Sequence, residues 1–307
     1  MDKIEFNFNL ISFLYSKKKQ MKHTTTLFSI LFTSIMFAQE SIISGKLKNA
    51  QNNEELGYVS IGIVNKNAGT VSNEKGIFKL KLSEKVTPND TVVFSHIGFE
   101  TKKLLVNRLK SDHNDIEMTP SKNTLKEVVV AFKKPKPKQF GRSAKGLGLM
   151  HFNFFTALDE TVDDYLSRER GMEFRIKKDC KVNDFNFNIT SNEFKSVKFR
   201  LNFYKIENGS PSKTLIEKDI IFEVKDKVTG LFSVDLKPYD IYLDKEMGDI
   251  AVTIQWIESI KSTEKSKFFS ISSAVSASEN SFYRERNMAN WSKTGQSLTF
   301  YLNTMCQ

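Results

Sequence analysis

The chain is poor in the residues that build reactive centres: its 307 positions hold two cysteines and four histidines. Cys180 and Cys306 alone cannot make a structural zinc site, which takes four ligands. In an oxidising compartment they can form one disulfide, and two half-buried free thiols fit their spacing equally well. Past the first segment the histidines are His96, His113 and His151. His96 and Glu100 are four apart, as are His113 and Glu117, in stretches that read as strand or turn. Such pairs lie about 13 Å apart, whereas a zinc peptidase needs His-x-x-Glu and a distant histidine. There is no Gly-x-Ser-x-Gly elbow and no Gly-x-x-x-x-Gly-Lys phosphate loop. The expectation is a non-enzyme with no catalytic residue, no cofactor and no metal. Asp159, Glu160, Asp163 and Asp164 form one acidic cluster with enough oxygens for calcium. It lacks the alternating aspartates and the glycine of a calcium loop, and a solvated helix face accounts for it.

No apolar run reaches the roughly 20 residues that span a bilayer. The apolar stretch Thr24–Phe37 (TTTLFSILFTSIMF) follows Met21-Lys22-His23 and precedes Ala38-Gln39-Glu40. A basic start, a short hydrophobic centre and a small residue before a polar break are the parts of a secretory signal peptide. Residues 1–38 are therefore expected as a signal region, with the mature chain starting near Gln39. A buried core helix is the competing reading, and placement and flanks favour export. Either Met21 is the true start, or Lys17–Lys19 charge an extended leader. No cysteine follows the apolar run, which argues against a lipid anchor. The protein is expected in the periplasm or at the cell surface. Association with the outer membrane would occur without a transmembrane helix in the mature chain.

The net charge of +10 invites a nucleic-acid reading. Five lysines and two acids in residues 1–38 supply three of those charges. The densest cluster beyond them, Lys133-Lys134-Pro135-Lys136-Pro137-Lys138, has no interleaved aromatics, so no nucleic-acid partner is expected. Weak attraction to anionic surfaces remains physically reasonable.

What the sequence does have is phenylalanine, 26 copies against 6 prolines. In short alternating runs with valine and isoleucine, Phe favours half-buried pleated surfaces. From Ser41 to Val130 such runs recur: Ile42–Leu47, Tyr58–Asn65, Gly69–Ser72, Ile77–Leu82, Thr91–Ser95, Thr101–Val106 and Asn114–Met118. Turns every 8–12 residues or so argue a seven-stranded β-sandwich. Gly76 suits a hairpin with positive φ.

Ile43-Ser44-Gly45-Lys46, Leu56-Gly57-Tyr58-Val59-Ser60-Ile61, the run from Gly69 through Gly76 to Phe78, and Val93-Phe94-Ser95-His96-Ile97-Gly98-Phe99 resemble the carboxypeptidase-like regulatory domain. The resemblance covers residues 41–120 and implies a transthyretin-like sandwich of the kind found in exported proteins of Bacteroidetes-type bacteria. Asn73-Glu74 stands where that family usually carries Thr-Asp, and Asn serves the same turn. The module resembles an accessory domain, and no peptidase comes with it. Leu125-Lys126-Glu127-Val128-Val129-Val130 resembles the segment that joins this module to the plug of TonB-dependent receptors. The chain after it is too short for their barrel, so the resemblance implies a shared outer-membrane context.

Residues 121–148 read as a linker, rich in Lys, Pro and Gly without periodicity. Residues 149–307 read as a larger, jelly-roll-like β-sandwich of about nine strands, making the whole chain all-β. Leu158–Arg170 is the one expected helix or long loop. Val197, Phe199, Leu201 and Phe203 alternate with Lys198, Arg200 and Asn202, the pattern of a strand with one wet face. Trp256 sits in an apolar strand and is expected in the core.

Tyr283 and Trp291 lie in a polar stretch read as loop, beside Arg284 and Arg286. These four residues are the candidate ligand-binding set, because aromatics beside arginine can form a platform for a glycan or peptide. Sealing the edge of the sandwich is the competing role. The function expected from sequence is that of a non-enzymatic exported cell-envelope protein, a binding or structural component whose partner is an envelope protein or a glycan. The alternative is a glycan-binding protein using exposed aromatics of the C-terminal sandwich.

Overall fold

The computed structural model describes residues 41–121, 134–144, 150–155, 165–277 and 280–307. The leader reading of Thr24–Phe37 and the acidic cluster Asp159–Asp164 lie outside these residues. The described residues from Ile42 to Gln307 belong to one compact unit, built around two separate hydrophobic cores.

The N-terminal core is enclosed by a small β-sandwich. One sheet orders Ile77–Lys81, Ile42–Asn49 and Asn114–Met118, and the other Gly69–Val71, Ser60–Ile63, Thr91–Ser95 and Lys102–Leu105. These are the seven strands expected from the alternating pattern. Alternation puts Phe78 and Leu80 inside while Ile77, Lys79 and Lys81 stay exposed. Gly76, at φ 71°, turns the chain into that strand.

Two larger sheets enclose the C-terminal core. The seven-stranded sheet runs Ser210–Thr214, Phe194–Glu207, Asp249–Lys261, Glu169–Arg175, Ser281–Arg284 and Ser292–Thr294, with Ile220–Lys225 also paired to Phe194–Glu207. Facing it is an eight-stranded sheet centred on Cys180–Asn192, flanked by Phe269–Val275 and Phe300–Cys306. Trp256 is fully buried, as expected, with the Phe194 ring at 5.0 Å and the Phe199 ring at 5.4 Å. Cys180 and Cys306 sit opposite each other on neighbouring antiparallel strands and form a disulfide.

Several expectations need correction. Lys136–Gly141, expected as linker, is a strand paired to Phe300–Cys306 at the sheet edge, a place where prolines are tolerated. Of the segment Leu158–Arg170, expected as a helix or long loop, residues 158–164 lie outside the described residues, and Glu169 and Arg170 begin a strand, facing Gln255 and Ile254 across a sheet. The stretch around Tyr283 is not all loop: Ser281–Arg284 pairs with Glu169–Arg175. The wet face of Phe194–Glu207 is not wet, since Arg200 and Asn202 are only 3% and 6% exposed. The N-terminal sandwich reaches that face.

Candidate functional site in the cleft between the sandwiches

Strand register assembles a polar row on the outer face of the seven-stranded sheet. Arg200 is opposite Gln255, Gln255 opposite Glu169, and Glu169 opposite Arg284, so four adjacent strands present these side chains on one face. Asn202 and Thr253 form the next row.

Each charge in the row is matched. Arg200 holds Asp219 through both carboxylate oxygens, at 2.6 and 3.1 Å. It also donates to the Tyr58 carbonyl at 2.9 Å and to Ser60 Oγ at 3.4 Å, so one guanidinium ties the two sandwiches together. Glu169 is wholly buried. It accepts from Arg284 Nε at 2.8 Å, from Asn202 at 2.9 Å and from the Thr253 hydroxyl. Burial is the largest influence on the Arg284 charge and works against it, but Glu169 and Tyr204 together outweigh it and raise the pKa. Tyr204 lies within 3.4 Å of Arg284 Nη2, and burial pushes its phenol pKa up. Beside this row Lys198 binds Glu258 and the Tyr58 hydroxyl, both at 2.8 Å. Those hydrogen bonds raise its pKa.

Tyr58 is thus held at both ends, carbonyl and hydroxyl, and it keeps a left-handed backbone at φ 53° that tyrosine seldom adopts. Strain of this kind persists where surrounding contacts over-determine it. Close approach is also built in at Gly62, where a Cβ would lie 2.1 Å from the Asn287 carbonyl oxygen.

The two sandwiches leave a cleft of about 910 Å3 between them. Its C-terminal wall includes Arg200, Asn202, Tyr204, Gln255, Arg284 and Trp291, and its N-terminal wall includes Ser60, Ser95, His96 and Phe99. His96 bonds the Ile97 carbonyl through Nδ1 at 2.8 Å, while Nε2 faces Asp219 at 3.7 Å. Burial, and then Arg200, lower its pKa. Nδ1 thus donates to a backbone carbonyl, and the carboxylate that Nε2 faces is already held by Arg200. That arrangement differs from the carboxylate-oriented histidine of a hydrolase.

The four residues singled out from sequence divide. Arg284 and Trp291 come together, with the guanidinium carbon 4.5 Å from the indole centroid, and both line the cleft. Tyr283 points to the opposite sheet face, against Phe152 at 5.9 Å and Arg170 at 5.4 Å. Arg286 donates to the Leu166 carbonyl at 3.2 Å. Neither belongs to the cleft lining, so the platform is not the one expected. Because Ser281–Arg284 is a strand, consecutive residues face opposite ways. Sequence reasoning missed Glu169, Asn202, Asp219 and Tyr204, and set His96 aside. The alternation of Lys198, Arg200 and Asn202 was the available signal, misassigned to solvent.

Among the described residues no group of three or more His, Cys, Asp or Glu is placed to hold a metal ion. No helix among them is long and apolar enough to cross a membrane.

The small sandwich, with its glycine turns and parallel pairing of the first and last strands, is the part with recognisable kin. Residues 43–130 match the CarboxypepD_reg-like domain. The matched segment supplies Tyr58, Ser60, Ser95 and His96 to the seam, whereas the charged row lies beyond it. No curated protein matches the chain. Among solved structures, the cysteine protease and lectin-like domains of Cwp84, a surface layer associated protein of Clostridium difficile, align at 12% identity with a TM-score of 0.38. That alignment covers 88% of this chain and 59% of the other, so the chain spans about three fifths of its length. A clostridial Cwp84 cysteine protease after propeptide cleavage aligns at 11% identity and a TM-score of 0.37, over 87% of this chain and 71% of that one. Likeness at this level has no bearing on function.

Proposed function

We propose that the protein is a non-enzymatic, exported component of the cell envelope that binds its partner in the cleft between the two sandwiches. The observation that carries the reading is the row of paired charges from Arg200 to Arg284. Its members are spent on each other and on the Tyr58 carbonyl. They hold the cleft in one shape without leaving an acid or base free to work on a substrate, and a preformed shape is what a binding site needs. The Cys180–Cys306 disulfide supports an oxidising compartment, in agreement with the leader read at Thr24–Phe37.

Fractionation with N-terminal sequencing tests the export half. The expected result is an oxidised protein in the envelope fraction whose first residue lies near Gln39. A reduced, full-length protein in the cytosol would refute it. For the binding half, immobilised protein should retain an envelope component, and Thr214→Trp, which narrows the cleft, should release it. Retention indifferent to that substitution places binding elsewhere.

A further inference from the structure

Taking the binding reading as given, we infer that the cleft receives a neutral oligosaccharide, stacked on Trp291 and hydrogen-bonded by the amides and hydroxyls of the walls.

Charge comes first. An anionic ligand needs positive charge that is not already cancelled, yet Arg200 is engaged by Asp219 and Arg284 by Glu169. The remaining charged lining residues, Lys213 and Glu217, are of opposite sign. Desolvating matched charges against a neutral ligand avoids the penalty of an unpaired ion.

The polar groups that remain are of the kind a sugar uses. Asn202, Gln255, Asn287, Ser210, Ser212 and Thr214 line the cleft. Amides and hydroxyls both donate and accept, as each sugar hydroxyl does. Asn287 adds an independent pointer. Its side chain is 1% exposed, and its Nδ2 has no hydrogen-bond partner among the described residues. A buried amide donor without an acceptor costs about 1–3 kcal/mol, so it calls for an explanation. Asn287 lines the cleft, and a ligand oxygen that reaches its amide would supply one.

Trp291 provides the apolar surface. Its ring is fixed by the Arg284 guanidinium at 4.5 Å and by the edge of Tyr204 at 5.8 Å. A flat ring pinned within a polar wall suits the C–H face of a pyranose, whose hydroxyls then point outward to the amides. A peptide would be expected to use an open strand edge or unmatched charge instead. The volume of about 910 Å3 lies within the range of small-molecule sites and leaves room for more than one sugar ring.

Tryptophan fluorescence can read the test, because the chain has two tryptophans and Trp256 is sealed in the core. Titration with neutral gluco-, manno- and xylo-oligosaccharides should give a saturable emission change with at least one of them. The affinity should hold when salt rises about tenfold, as expected where no net charge is neutralised. Trp291→Phe should remove most of the signal. Trp291→Ala should weaken retention on the immobilised sugar by about tenfold, while Tyr283→Ala leaves it unchanged. Asn287→Ala should weaken retention without lowering the thermal midpoint, a pattern that misfolding would not produce. The proposal fails if no neutral sugar binds, if Trp291→Ala binds as well as the parent, or if salt abolishes binding. Should the sugars fail while an envelope component is still captured in a Thr214→Trp-sensitive way, the ligand class is wrong and the binding reading stands. Capture of neither overturns both.

Discussion

The two sandwiches pack their interiors with different material and bring opposite things to the seam. The N-terminal core is largely aliphatic, with Leu47, Val59, Ile61 and Leu80 around an edge-on contact of Phe78 and Phe94. The C-terminal core is aromatic, with Tyr165, Phe154 and Phe269 all within 5.6 Å of Trp256. At the seam the N-terminal sandwich offers backbone and small residues: the Tyr58 carbonyl, Ser60 and Gly62. The C-terminal sandwich offers charge, in Arg200, Asp219, Glu169 and Arg284. A recognisable module thus contributes a surface to fit against, and its partner sets the electrostatics of the cleft. Glycine at position 62 lets the backbone come close to Asn287, and the serine at position 60 meets the Arg200 guanidinium through its hydroxyl.

The comparison breaks most sharply at Glu169. Glu169→Ala leaves the Arg284 charge buried without its partner, which should cost about 3–5 kcal/mol. Both tryptophans lie in the C-terminal sandwich, so their fluorescence in a denaturant titration isolates its unfolding. A shift below about 1 kcal/mol would mean that the row does not hold the sheet together. Next in size is the disulfide. Cys180→Ser with Cys306→Ser reopens a link between residues 126 apart, worth about 2–4 kcal/mol. The loss should again appear in the tryptophan signal, while hydrogen exchange in Ile43–Met118 stays near that of the parent.

The seam itself comes third. Arg200→Ala removes the bond to the Tyr58 carbonyl and leaves Asp219 without its cation. Because the Asp219 side chain is 25% exposed, water recovers part of the loss, and about 2 kcal/mol is expected. Gly62→Ala acts on the other side, where the added methyl meets the Asn287 carbonyl oxygen. Both substitutions should raise hydrogen exchange in Ser60–Ile63 and leave the Trp256 environment as it was. If exchange rises equally around Trp256, the two cores are not separable.

The sequence showed these halves unequally, for physical reasons. Seven strands and their turns were legible because alternation and glycine turns are local signals. Trp256 was legible as core for the same reason. The cleft was not, because Arg200, Gln255, Glu169 and Arg284 are far apart in the chain and meet only through strand register. Polar alternation in Lys198–Asn202 gives the same pattern whether water or a second sandwich covers it. Tyr283 and Arg284 looked alike as loop residues, and pairing of Ser281–Arg284 sent them to opposite faces. Lys136–Gly141 carries the composition of a linker and was claimed by an open sheet edge.

The smallest expected effect belongs to His96, the titrating group of the N-terminal sandwich at the seam. Burial and the nearby Arg200 charge lower its pKa from the ordinary 6.5, although Asp219 acts the other way. In the unfolded chain the imidazole protonates as pH drops below about 6.5, while the folded seam resists the proton. Stability from this group is therefore complete above pH 6.5 and is lost as pH falls through the folded pKa. His96→Asn, which cannot take a proton, should flatten that acid-side slope relative to the parent. Arg200→Ala should shrink that acid-side loss, because removing the cation brings the folded pKa back up toward the unfolded value while Asp219 remains. An unchanged slope in both variants would place the acid sensitivity elsewhere. A changed slope in His96→Asn alone would show that burial, rather than the charge contributed by the larger sandwich, holds the imidazole neutral.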